Sequence, residues 1–168
     1  MQQHPESAVS SSHPLSRRAP HRLKIPVAAL LLINTLPALY GAEFSFTGSW
    51  YLDLRTPEQI QAKAECGGAG FELVQQGNTV TGTHYFATVN CGRINEGGEV
   101  KGTVTGLEAV LYVTSGRNGA VVRGRARLEG EKLRWRVLEV IEEGVPEGDS
   151  GLVLGEGVLE KVPGSTSQ

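Results

Sequence analysis

Beyond residue 42 this sequence holds one histidine, His84, and two cysteines, Cys66 and Cys91. These are the side chains best suited to proton transfer, nucleophilic attack or metal binding. A catalytic histidine needs a group to activate within reach and a third group to orient it. The sequence pattern places no serine, cysteine or carboxylate to complete such a set around His84. A buried neutral imidazole with one hydrogen bond is the expected role, with ligand contact or proton transfer as the alternative. Enzymatic activity is not expected. Tetrahedral zinc takes four nitrogen, sulfur or oxygen ligands, and one histidine beside two cysteines is a poor set. An even cysteine count in an exported chain reads instead as one disulfide, Cys66–Cys91.

Two charged runs could do binding chemistry. Glu142, Glu143, Glu147 and Asp149 fall in one stretch, but calcium loops place their oxygens at a regular close spacing that this stretch lacks. It is expected to be a solvated loop, and neither a metal nor a cofactor is expected. Arg123, Arg125 and Arg127 alternate along one segment, and Arg134 and Arg136 along the next. They form a five-arginine patch, expected to be an ordinary solvated charged face with Glu156 and Glu160 as neighbours. The alternative is a site for an anionic glycan, a lipid headgroup or an acidic partner.

The segment 1–42 does not read as domain material. Arg17, Arg18, Arg22 and Lys24 precede an apolar stretch from Ile25 to Tyr40, and small residues follow at Gly41 and Ala42. A basic, apolar, small-residue order is that of a secretory signal. A membrane anchor is the rival, but the stretch contains Pro26 and Pro37 and is short of the roughly 20 residues that span a bilayer. Residues 43–168 are then the exported domain, periplasmic or secreted and not membrane-spanning after cleavage. Four of the 16 basic and one of the 18 acidic residues precede position 43, leaving a net charge of about −5. That balance argues against a nucleic-acid or anionic-membrane binder.

The elements that must position these residues are strands. Apolar and polar residues alternate, broken by turn pairs, and this predicts eight strands near 44–54, 70–76, 79–87, 98–105, 107–115, 120–129, 132–141 and 152–161. Gly77-Asn78, Asn118-Gly119 and Gly130-Glu131 supply the positive φ of tight hairpins; Thr105-Gly106 fits that rule less well. These turns predict Phe71 opposite His84, Leu73 opposite Gly82, Val100 opposite Leu111, Val113 opposite Gly124, and Ala126 opposite Trp135. They also set Arg127 opposite Arg134 and Arg125 opposite Arg136. The architecture expected is an all-β, eight-stranded antiparallel up-and-down barrel with one disulfide. Long connections at 55–69, 88–97 and 142–151 share one end with both cysteines. Thr56, Pro57 and Gln59 predict a short helix over that mouth.

The expected interior set is Phe46, Trp50, Leu52, Phe71, Leu73, His84, Phe86, Val104, Leu111, Val113, Trp135 and Val137. Of these, Trp50, Phe71, His84, Phe86 and Trp135 would meet any ligand held inside. A barrel of this size can be filled by its own side chains or hold one small molecule. The outward set includes Thr79, Thr81, Thr83 and the arginines, which is unlike the apolar outer band of a membrane barrel.

Phe46-Thr47-Gly48-Ser49-Trp50-Tyr51-Leu52 opens the first strand. Its Gly-x-Trp, leading into an eight-strand meander with a long first loop, resembles the calycins, the lipocalin and avidin group. That resemblance implies that Trp50 closes the narrow end and that the mouth admits a small apolar ligand. The layout is also similar to that of periplasmic lysozyme inhibitors, which carry a Ser-Gly hairpin loop into their target. Here Thr114-Ser115-Gly116-Arg117-Asn118-Gly119 stands at the corresponding end. The leading expectation is a non-enzymatic binding or inhibitor-type barrel that acts on an extracytoplasmic partner through a rim of Arg93, Asn95, Ser115, Arg117 and Asn118. The alternative is a carrier of a small apolar molecule.

Overall fold

Alternating side chains give each strand an inner and an outer face, and eight such strands close here into a barrel. The structure, a computed structural model, describes residues 44–164; the segment expected as a secretory signal lies outside the described residues. The strands are β1 (Gly48–Asp53), β2 (Cys66–Gln76), β3 (Thr79–Val89), β4 (Ile94–Thr105), β5 (Glu108–Thr114), β6 (Val121–Glu129), β7 (Lys132–Glu142) and β8 (Glu156–Lys161). Each pairs antiparallel with the next in sequence, and β1 closes on β8. One short helix, α1 (Pro57–Gln61), follows β1.

Three two-residue turns join β2 to β3, β4 to β5 and β6 to β7. Each begins with a glycine at positive φ: Gly77 at 58°, Gly106 at 61° and Gly130 at 65°. Positive φ at the first central position matches the right-handed twist of the flanking strands. The second turn is therefore Gly106-Leu107 and not Thr105-Gly106. Val100 faces Val113, and Val104 faces Ala109. The β5–β6 connection is a six-residue loop, so Val113 faces Val122 and Leu111 faces Gly124. Both corrections slide the pairing by two positions. Side chains repeat every two residues, so every inward residue stays inward. The other predicted pairs hold: Phe71 with His84, Leu73 with Gly82, Ala126 with Trp135, Arg127 with Arg134 and Arg125 with Arg136.

The interior is a continuous apolar core. Phe46, Trp50, Phe71, Leu73, Val104, Leu111, Val113 and Trp135 are buried, and Leu52, Phe86 and Val137 pack against them. Phe71 lies between His84 and Trp135, with ring centroids at 4.6 Å and 5.2 Å. Trp135 spreads over Gly124 of β6, where a Cβ would overlap the indole ring. At the narrow end Trp50 Nε1 donates to the Phe46 carbonyl at 2.8 Å, and the Lys161 ammonium stands 5.4 Å from the indole centroid. The buried indole N–H thus finds the partner the core would otherwise deny it, while the exposed Lys161 covers the ring face from outside.

Candidate functional site

The end of the barrel opposite the three two-residue turns carries the four longer connections: 54–65, 90–93, 115–120 and 143–155. The third strand runs into the fourth through four residues, so the connection expected at 88–97 is short. α1 forms as predicted, with Thr56 and Gln59 capping each other reciprocally. It buries none of its residues, however, and does not close the mouth.

The mouth is closed by 151–155, of which 152–155 stand where the sequence predicts the start of the eighth strand; β8 begins only at Glu156. Leu152 and Leu154 are buried. Four side chains from the barrel hold the backbone of this segment. Ser115 Oγ donates to the Gly151 carbonyl at 2.6 Å. Asn95 Nδ2 donates to the Leu152 carbonyl at 3.1 Å. Trp135 Nε1 donates to the Leu154 carbonyl at 2.6 Å. The Leu154 amide donates to His84 Nε2 at 3.2 Å. A buried backbone group without a partner costs a lost hydrogen bond, and these contacts let an irregular segment enter the core.

His84 is thus satisfied on both nitrogens. With Nε2 accepting, Nδ1–H donates to the Gly70 carbonyl at 2.7 Å. Burial is the main cause that lowers its pKa to about 4, against the opposing pull of the Gly70 carbonyl. No carboxylate or hydroxyl hydrogen-bonds to it among the described residues. The ring is neutral at neutral pH, with its one N–H committed to Gly70 and its other nitrogen to Leu154, and it holds structure.

The predicted rim divides. Asn95 and Ser115 are buried, directed into the mouth. Ser115 also accepts the amides of Arg117 and Asn118 at 3.1 Å and 3.4 Å, shaping the hairpin tip. Arg117 and Asn118 are at the surface, joined to the acidic loop. The Arg117 guanidinium meets the Asp149 carboxylate at 3.0 Å, and Asn118 Nδ2 donates to the Asp149 carbonyl at 2.9 Å. The Val145 amide donates to the Asn118 carbonyl at 2.9 Å. Arg93 is exposed in the β3–β4 turn. Cys66 and Cys91 form the expected disulfide across the bases of β2 and β3, with Cα atoms 5.3 Å apart. Nearby, Arg55 donates to Asp53 and to the Ala64 carbonyl, fastening the first loop. The hydrogen bonds from Arg55 hold the Asp53 carboxyl down to about 2.

The five arginines lie together on the outer face of β6 and β7. Three are paired: Arg123 with Glu139, Arg127 with Glu108 at 3.7 Å, and Arg134 with Glu129 through two bonds at 2.9 Å and 3.0 Å. Glu160 takes Lys132 instead of an arginine. Among the described residues, Arg125 and Arg136 have no carboxylate within ion-pair distance. No group of three or more potential metal ligands occurs among the described residues.

Sequence reasoning missed the closing segment. Its available signals were the glycines at 151 and 155 around Leu152-Val153-Leu154, an apolar run without alternation. The comparisons with known proteins add no relative: the chain matches no family model and no curated protein.

Proposed function

We propose that this chain is an exported, non-enzymatic binding protein that engages a protein partner with the ordered edge formed by the 115–120 tip and the acidic loop. One observation carries this reading. The segment 151–155 occupies the mouth and is tied there by His84, Asn95, Ser115 and Trp135. A carrier of the calycin type needs its mouth open to a ligand, and here the chain itself fills that position. Binding then falls to the exterior, where loops on a rigid scaffold present polar groups. The Arg117–Asp149 pair and the Asn118 bonds fix that edge before any partner arrives, which limits the ordering cost of association. The buried Ser115 speaks against a lysozyme-inhibitor mode in which the serine itself enters a cleft.

A photo-crosslinking residue at position 117, compared with one at position 131 in the opposite turns, tests the reading in the protein's own compartment. A protein adduct at 117 and none at 131 is expected, together with a bare mass in native mass spectrometry. Adducts at 131 alone, or a retained small molecule that leaves on gentle activation, would overturn it.

A further inference from the structure

We infer that the groove outside β6 and β7 is a binding site for a small soluble ligand carrying two oxyanions, a diphosphate in chemical class. The inference is independent of the loop-end reading and uses a different surface.

Antiparallel pairing sets the outer side chains in rows. One row runs Val110, Arg125, Arg136 and Glu156. The next runs Glu108, Arg127, Arg134 and Val158. Neighbouring strands lie about 4.8 Å apart, and alternate residues on one strand about 6.6 Å apart. Four guanidinium groups thus spring from a patch little larger than a diphosphate. Like charges directly opposite in a sheet repel, by a few tenths to about 1 kcal/mol. The repulsion is relieved unequally. Glu108 and Glu129 engage Arg127 and Arg134, whereas Arg125 and Arg136 have no such partner. Glu156 stands opposite Arg136 in the β7–β8 register but makes no ion pair with it.

The strand geometry also builds a wall. After Gly124 pairs with Val137, the ladder jumps to Arg123 with Glu139. This bulge leaves Leu138 as an extra residue turned outward. Bulges redirect side chains in this way. Leu138 lines the open groove with the four arginines and with Glu108 and Glu129, the carboxylates already held by Arg127 and Arg134, and the groove measures about 420 Å³. That is the scale of a small-ligand site. Planar guanidinium groups bind oxyanions through two parallel N–H bonds each, and an apolar flank weakens the competition from water. The net negative charge of the domain disfavours an extended anionic surface as the occupant, so a small ligand fits better than a membrane.

Inorganic pyrophosphate is the probe, titrated by calorimetry into the purified disulfide-bonded protein at low salt. Saturable single-site binding is expected, with inorganic phosphate about ten-fold weaker or more. Arg125→Gln and Arg136→Gln should each weaken pyrophosphate about ten-fold while leaving the protein folded, because each removes a repulsion. Lys101→Gln, on β4 and paired with Glu99, should leave binding unchanged. Absence of saturation, equal affinity for phosphate and pyrophosphate, or equal loss in all three variants would overturn the site.

Discussion

His84 Nε2 accepts the backbone amide of Leu154 at 3.2 Å, joining the middle of the barrel to the segment that closes it. The bond requires a neutral acceptor nitrogen, and burial holds the ring neutral by lowering its pKa from 6.5 to about 4. Above pH 6.5 the ring is neutral in folded and unfolded chains, and His84 adds no pH dependence. Between pH 6.5 and 4 the unfolded chain takes up the proton and the folded chain does not. Stability therefore falls with pH across that window, by roughly 3 kcal/mol in total. Below the folded pKa the loss levels off. Asp53 acts in a separate window: its depressed carboxyl adds stability above the ordinary carboxylate range that is lost as pH falls toward about 2. Denaturant midpoints at about pH 7, 5.5 and 4 check this. His84→Gln should start less stable and lose most of the decline; an unchanged slope would refute the assignment.

Ser115 makes a second, local prediction. Its hydroxyl donates to Gly151 and accepts two amides of the tip. Ser115→Ala removes all three bonds and leaves groups that must find water, at about 1–3 kcal/mol. The tip and closing segment are the only parts tied through this hydroxyl. Amides at 117, 118 and 152 should exchange faster, while those of β2 and β3 keep their protection. Uniform acceleration across the barrel would show a global effect instead.

What could be read ahead of the structure followed from periodicity. Period-two alternation placed Phe71, His84 and Trp135 inside and Arg125 and Arg136 outside, and it survives a two-position slip. That is why a misplaced turn at Thr105-Gly106 left the core set intact. The disulfide followed from cysteine count and from which loops share an end. Two things did not follow. The bulge at Leu138 depends on how a closed sheet bends, which no local pattern encodes. The closing segment depends on His84, Asn95, Ser115 and Trp135 meeting one backbone, although Asn95 lies 57 positions from Leu152 and His84 70 from Leu154. For the same reason Asn95 and Ser115, polar residues near loops, were expected on the rim and are found beneath it.

Gly124 and Trp135 should show strong coupling. The indole occupies the space in which a Cβ at 124 would stand. Gly124→Ala overpacks the core and should cost about 1–3 kcal/mol. Trp135→Phe opens room at that face but removes the bond to the Leu154 carbonyl. The double variant should be less destabilised than the two losses together, with an interaction of at least about 0.5 kcal/mol. Strict additivity in denaturant unfolding would mean that the ring and residue 124 do not compete for this space.

The Cys66–Cys91 disulfide closes a span of 25 positions. Constraining a loop of that length in the unfolded chain is worth about 3.5 kcal/mol in the chain-entropy treatment. β2 and β3 join through the tight Gly77-Asn78 turn, so residual hairpin pairing in the unfolded chain would make the measured value smaller. The double variant Cys66→Ser with Cys91→Ser should therefore lose about 2–3.5 kcal/mol. Its denaturant slope should rise, because an uncrosslinked chain exposes more surface. The outward effect should be confined to one end. Cys66 opens β2 after the first loop and Cys91 lies within the β3–β4 turn, where Asn90 donates to the Glu65 carbonyl at 2.7 Å. Exchange should quicken at Asn90 and Leu54, whose amides bond across this region, before it quickens at Leu128 on the far hairpin. A variant with unchanged stability and slope would show that the cross-strand pairing, and not the disulfide, sets the order of this end.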